Sequence, residues 1–224
     1  MQLFFKEVWV LVQKEFKLEW RQKYAFNGIL LYVVGVVFVC YLSFNLRMGE
    51  LTPITWNTLF WIIILFSAIN GVSKSFQQER EGRYIFYYQI VGPEAIICSK
   101  IIYNTILMLA VSFAGLLVFS VVMGNPVQDL GLYILVLFLG AIGFSSGLTL
   151  VSGIAAKASN SGTAMSILGL PVILPMLLML IKVSKNAMDG LDRTVSYDEI
   201  LTIFAINLIV IVVSIILFPY LWRT

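Results

Sequence analysis

Six stretches of mainly apolar residues dominate this sequence and restrict the folds open to it. They cover residues 26–46, 54–73, 101–123, 130–156, 163–181 and 200–222. A helix needs about 20 such residues to cross a bilayer, where its backbone polar groups must be satisfied internally. We therefore predict an all-α integral membrane protein, with six transmembrane helices in one domain that spans residues 1–224.

The composition agrees with this prediction. Charged residues make up 12% of the 224 positions, against about 25% in a typical soluble domain. The net charge of +3 is small and no basic block occurs, so nothing indicates a nucleic-acid partner. The predicted surroundings of the chain are the lipid bilayer.

Residue types that carry metal and redox chemistry are scarce. The chain has no histidine, which removes the commonest metal ligand and proton shuttle. Its two cysteines, Cys40 and Cys98, form no CxxC motif. No P-loop pattern and no HExxH motif is present. We predict a non-catalytic subunit that holds no metal and binds no cofactor directly, with ATP bound and hydrolysed by a partner chain.

Residues 3–24 precede the first span and read as an amphipathic helix. Its large apolar residues recur every three or four positions: Phe5, Trp9, Val12, Phe16 and Trp20. Lysines and an arginine occupy the other faces, a pattern typical of a helix that lies in the membrane interface with its apolar face down. The alternative is a helix packed on another protein domain.

The distribution of basic residues predicts the orientation of the spans. With the N-terminus inside, 11 of the 15 lysines and arginines fall in cytoplasmic connections and 4 in outer ones. Cytoplasmic connections carry the excess of positive charge in membrane proteins. We therefore expect both termini in the cytoplasm.

The polar interval 74–100 is the main candidate for a functional site on the predicted cytoplasmic side. Gly82 ends or bends the extension of the second span. Gly92 and Pro93 start a new helix, which runs on through Lys100 into the third span. Between these two breaks, a short helix presents aromatic residues on one face.

An apolar-faced helix of this kind fits the groove of a cytoplasmic protein. We interpret the interval as a coupling loop, which binds an ATP-hydrolysing partner and transmits its conformational change to the membrane helices. The predicted coupling residues are Glu79, Arg80, Glu81, Gly82, Tyr84, Tyr87, Tyr88 and Pro93. An interfacial helix resting on lipid is the alternative.

Two features inside the spans predict how the helices pack. Gly143 and Gly147 form a GxxxG pattern, which lets helix backbones approach closely, either within one subunit or at a dimer seam. Pro171 and Pro175 each remove a backbone hydrogen bond and are expected to kink the fifth span. The bend either faces a pathway or a partner, or simply fits the bundle.

None of the six predicted spans contains Asp, Glu, Lys or Arg. A charge at mid-membrane costs about 2.5–3.5 kcal/mol and persists where function needs it. Ion-coupled carriers usually keep such a group. The absence disfavours a carrier acting alone, although sodium sites made of carbonyls and hydroxyls stay open as an alternative.

Several local sequences carry a resemblance to a known family. They are KEFKLEWR at 14–21, EREG at 79–82 followed by a proline-started helix, and LPVILP at 170–175. With the basic N-terminal helix and six spans, the whole chain resembles the ABC-2 type permeases. Within them it is similar to the heme exporter protein B family (CcmB), the permease subunit of the bacterial cytochrome c maturation ABC transporter. One departure is Arg83-Tyr84-Ile85, where family members often have Thr-Leu-Glu.

The resemblance implies an ABC-2, type V exporter-like permease architecture in the bacterial inner membrane. It also implies a cytoplasmic ABC ATPase subunit, two permease copies, other cytochrome c maturation subunits and a haem chaperone. The chain would then export haem, or use ATP energy to release a haem-loaded chaperone. The lack of histidine favours the second picture, because no imidazole is available for haem iron. A generic ABC-2 exporter of a drug, lipid or polysaccharide is the alternative.

Overall fold

The structure is a computed structural model that describes residues 2–22, 24–45, 51–72, 76, 91–156 and 161–223. Within these ranges it contains helices and connecting turns, and no strand. The helices are α1 (Gln2–Gln22), α2 (Tyr24–Asn45), α3 (Pro53–Val72), α4 (Pro93–Met123), α5 (Leu130–Ala155), α6 (Ser161–Met188) and α7 (Tyr197–Arg223). A short 3-10 helix, Arg193–Ser196, precedes α7.

The helix ends follow local chemistry. Pro53 and Pro93 each open a helix, where a missing N–H costs nothing and the fixed φ is already helical. Gly124 follows α4 at φ +80°, a conformation that glycine adopts without a Cβ penalty. The Asp129 carboxylate caps α5 by accepting from the Leu132 N–H.

Two helices are longer than the predicted spans. α4 begins at Pro93, eight residues before position 101, so Lys100 lies within the helix. α6 continues to Met188, beyond position 181, and takes in part of the connection expected to be an outer loop. Both extensions contain charged residues, Glu94 and Lys100 in α4 and Lys182 and Lys185 in α6, which is why the apolar pattern left them outside the predicted spans.

Six of the described helices, α2 to α7, are long and apolar enough to cross a membrane. α5 is the most buried and packs against α4, α6 and α7, while α2 and the apolar part of α7 leave most of their surface outside the bundle. Small residues on α5 allow these close contacts. The prediction of an all-α bundle with six spans is thereby confirmed.

We call the end of the bundle with the α4–α5 and α6–α7 connections the loop end. Hydrogen bonds between α3 and α6 stabilise it. Trp61 Nε1 donates to the Ser184 hydroxyl (2.8 Å) and Asn57 Nδ2 donates to the Ile181 carbonyl (2.9 Å). Because these groups are buried, each bond satisfies polar atoms that water cannot reach. The opposite end, here the α1 end, carries α1 and the start of α4.

α1 has two apolar faces with different surroundings. Val8, Leu11 and Val12 are buried against the first turns of α4, whereas Trp9 and Trp20 are 62% and 81% exposed. Val12 therefore does not share the environment of the aromatic residues with which the sequence pattern grouped it. The exposed aromatic face matches the one predicted to enter the membrane interface.

Candidate functional site

Most of the predicted coupling loop lies outside the described residues. This applies to Glu79, Arg80, Glu81, Gly82, Tyr84, Tyr87 and Tyr88. Pro93 is described and is the first residue of α4. The coupling role of all eight residues stays a prediction, but the structure describes Phe76 and residues 91–100 of the same interval.

The described residues of the interval, on both sides of positions 77–90, reach one apolar cluster at the α1 end. Phe76, on the near side, is 1% exposed and its ring lies 5.5 Å from that of Phe218 on α7. Ala95 and Ile97, two and four residues after Pro93, are fully buried in the same cluster. Val12 of α1 completes it. The described residues on both sides of positions 77–90 therefore share one cluster with α1, α4 and α7.

Lys100 lies at the centre of this end and is 1% exposed. Its Nζ is 3.3 Å from Glu15 Oε1 on α1 and 4.8 Å from the centre of the Phe76 ring. Glu15 also pairs with Lys14, at 2.8 Å. A buried charge persists only when it is paired, so this lysine ties α4 to α1 and to Phe76, near the start of the predicted coupling loop.

The ionisation of Glu15 follows from these neighbours. Burial works to raise the pKa of its carboxyl, but the charges of Lys100 and Lys14 outweigh burial, and the net shift of the pKa is downward. Glu15 is therefore ionised at neutral pH and the ion pair with Lys100 is formed.

A second acidic residue joins the same helices one turn further along α1. Glu19 Oε1 accepts a hydrogen bond from the Phe26 N–H (2.8 Å), at the start of α2, and Oε2 accepts one from the Tyr103 hydroxyl (3.5 Å). Phe16 packs edge-on against Tyr103, with ring centres 5.3 Å apart. Residues four apart on a helix share a face, which is why Glu15 and Glu19 both reach α4.

We call the four residues Glu15, Glu19, Lys100 and Tyr103 the α1–α4 clamp. Sequence reasoning considered Glu15, Glu19 and Lys100 only as parts of local patterns. It did not single out Tyr103, and it did not predict that α1 and α4 meet. The available signal was the matched spacing of two acids on α1 and of a lysine and a tyrosine near the start of α4. That signal indicates compatible faces but not which helices meet.

The comparison with known families agrees with this architecture. A protein-family model described as CcmB protein matches residues 6–221. The chain belongs to the CcmB family. No curated protein matches it in sequence. Membership identifies a multi-pass membrane protein, the permease subunit of a haem-export ABC transporter.

In this CcmB-family chain, Gly143 is surrounded by residues of its own bundle. A Cβ added there would collide with Met176 Sδ of α6 and Asn207 Oδ1 of α7. Gly147, one turn on, would meet only ordinary contacts with Val172 (3.6 Å) and Ile173 (3.9 Å). The close approach at Gly143 is thus between helices of one subunit, and a role of the GxxxG pattern at a dimer seam stays a prediction.

The two prolines of the CcmB-family chain lie within α6, which remains helical through both. Pro171 and Pro175 have exposed side chains, while Ile173 between them is buried against α5. The prolines therefore face away from the bundle core. Their role as a functional kink stays a prediction.

The loop end contains an ion pair that sequence reasoning missed. The Arg193 guanidinium donates two hydrogen bonds to the Asp129 carboxylate, at 2.7 and 2.9 Å. These bonds, with a further one from the Leu132 N–H, lower the pKa of Asp129 to about 2. The pair joins the start of α5 to the 3-10 helix before α7. In the described ranges, no group of three or more His, Cys, Asp and Glu residues is placed to hold a metal.

Proposed function

We propose that this chain is the permease subunit that acts with a separate cytoplasmic ATPase in c-type cytochrome biogenesis. It would export haem or drive release of a haem-loaded chaperone. The observation that carries the proposal is the CcmB family match over residues 6–221. The absence of a P-loop in the sequence supports a partner that supplies ATP hydrolysis.

In this proposal the α1–α4 clamp passes motion from the ATPase to the membrane helices. The partner binds the predicted coupling loop, residues 74–100, with Glu79, Glu81 and the tyrosines among its contacts. Displacement of the loop moves Phe76 near its start and Pro93 near its end. Because Lys100 contacts the Phe76 ring and pairs with Glu15, α1 and α4 shift together rather than separately.

The proposed assembly follows the family resemblance. Two permease copies and two ATPase subunits lie in the bacterial inner membrane, with both termini of each permease in the cytoplasm. Other maturation subunits and a haem chaperone complete it. The exposed apolar surfaces of α2 and α7 are available to such membrane partners and to lipid.

The first test is deletion of the gene followed by haem staining of c-type cytochromes. We expect the stained bands to disappear and to return with the wild-type gene. Normal cytochromes in the deletion strain would reject the biogenesis function. Uptake by the purified chain in liposomes, driven by an ion gradient without an ATPase, would favour the carrier alternative.

The coupling role is tested with loop variants in the complementing gene. Gly82→Pro, or charge reversal at Glu79 and Glu81, should leave membrane insertion unchanged but release or uncouple the ATPase in co-purification. If the ATPase still co-purifies and cytochromes still mature, the interval 74–100 is not the coupling element.

The clamp is tested with Glu15→Gln and Lys100→Met, each of which removes one side of the ion pair. We expect inserted protein that binds the ATPase but matures cytochromes poorly. Lys6→Gln is the matched control, since Lys6 is exposed on the same helix. Normal maturation in both clamp variants would show that the ion pair does not transmit the conformational change of the ATPase.

A further inference from the structure

A groove of about 440 Å³ opens beside the clamp, between α1, α2 and α4. Its lining changes character along α4. Glu19 and Tyr103 provide polar atoms at one end, and Ile106, Leu107 and Ala110 make the rest apolar. From Tyr103 to Ala110 the helix advances about 10 Å, at 1.5 Å per residue.

The polar end lies at the level of the amphipathic helix. Trp20 is 81% exposed and Phe16 is 41% exposed, and both line the groove. Exposed tryptophan is typical of the zone where headgroups meet hydrocarbon. The groove thus starts where a lipid headgroup would lie and continues in the direction of the bilayer interior.

The Glu19 carboxylate gives the groove a negative charge and has acceptor positions left for a ligand. Each Glu19 oxygen accepts one hydrogen bond, from Phe26 N–H and from the Tyr103 hydroxyl, whereas a carboxylate has about four acceptor positions. Within the part of the chain that the structure describes, no lysine or arginine forms an ion pair with Glu19. The aromatic rings beside it attract a cation through their faces.

We propose that this groove binds one phospholipid with a primary ammonium headgroup, of the phosphatidylethanolamine type. The ammonium donates to Glu19 beside Trp20, and one acyl chain lies along Ile106 and Ala110. An anionic headgroup without an amine would place its phosphate and hydroxyls against Glu19. The carboxylate would then have no ammonium to pair with. The lipid fills the space between α1 and α4 and so holds the clamp region together, whatever substrate the permease handles.

The experiment uses the full-length chain purified in mild detergent and depleted of lipid. It is then supplied with either phosphatidylethanolamine or phosphatidylglycerol of matched acyl chains, and retained lipid is counted by native mass spectrometry. We expect one retained phosphatidylethanolamine per chain and at least about tenfold weaker retention of phosphatidylglycerol, since a charge-assisted hydrogen bond is lost. Equal retention of both lipids, or of neither, would overturn the proposal.

Two variants separate the headgroup contact from the tail contact. Glu19→Gln keeps an oxygen for the Phe26 N–H but removes the charge, and should abolish the preference between the lipids. Ala110→Phe fills the apolar part and should reduce retention of both. Glu7→Gln, on the same helix outside the groove, is the control that should behave as wild type. Unchanged preference in Glu19→Gln would overturn the assignment of the ammonium site.

Discussion

At the scale of single residues, burial decides which side chains matter in this bundle. Lys100 is charged yet 1% exposed, and its charge is balanced by Glu15. Removing one partner of such a pair typically costs about 3–5 kcal/mol, because a buried charge loses its compensation. Gly143 is the opposite case, where the absence of a side chain is what the packing requires.

Gly143→Ala should destabilise the bundle by about 1–3 kcal/mol, the usual cost of overpacking a core. The new methyl group collides with Met176 Sδ and with Asn207, whose amide is held by its bond to the Leu139 carbonyl. The check is the midpoint of thermal unfolding in detergent.

Gly147→Ala is the matched control for this prediction. Its Cβ meets only ordinary contacts, and alanine favours helix by up to about 1 kcal/mol over glycine, so stability should stay equal or rise. Met176→Ala combined with Gly143→Ala should recover part of the loss. Equal stability of the two single glycine variants would contradict the packing described for Gly143.

At the scale of elements, the helices are joined at both ends by groups that lie far apart in sequence. Asp129 and Arg193 tie the start of α5 to the 3-10 helix before α7, and the clamp ties α1 to α4. Between these ends, α6 contacts α5 through Ile173 while its prolines face outward. The ends fix which helices move together.

The Asp129–Arg193 pair should make stability depend on acidity. The folded pKa of Asp129, about 2, lies below its unfolded value of about 3.9. Its contribution is therefore complete above about pH 4 and is lost as pH falls toward 2. Thermal midpoints of wild type and Asp129→Asn should differ at pH 7 and converge below pH 4. A constant difference across this range would contradict the assignment.

Pro171→Ala with Pro175→Ala should straighten α6 and impair cytochrome maturation while the protein still inserts. Proline inside a helix costs a backbone hydrogen bond, so the thermal midpoint of the variant should be unchanged or higher. Haem staining and thermal unfolding are measured on the same preparations. Normal maturation would leave the prolines as packing features.

At the scale of the whole molecule, the two ends of the bundle differ in construction. The loop end is fastened by hydrogen bonds such as Trp61 to Ser184, around a cluster of aromatic rings that includes Trp56 and Tyr133. The α1 end has a buried ion pair, Glu15–Lys100, at the last residue of the predicted coupling loop, whereas the Asp129–Arg193 pair of the loop end is exposed. In the proposed function, the ATPase acts on the α1 end. That end must then face the cytoplasm, and this orientation can be tested.

Single cysteines in a background with Cys40 and Cys98 replaced by serine test that orientation. Lys182→Cys, at an exposed loop-end position, should react with an impermeant maleimide in intact spheroplasts. Lys6→Cys should react only after the membrane is permeabilised. The reverse pattern would place the termini outside and reject a cytoplasmic coupling loop.

The sequence by itself determined the number of spans and their approximate limits. This information is local, because each helix must satisfy its own backbone in lipid and needs a fixed length of apolar residues. Pro93 likewise marked a helix start through its own geometry. The resemblance to the family rests on residue patterns at 14–21, 79–82 and 170–175. Each of these is a short continuous segment, so it can be recognised without the fold.

Only the tertiary structure decided which side chains meet. Lys100 was readable as a polar residue beside a span, but its burial against Glu15, 85 positions away, depends on how α1 crosses α4. Val12 shares the spacing of the aromatic stripe, yet it is buried because α4 covers that side of α1. Helical periodicity defines faces, and packing between distant segments decides what each face contacts.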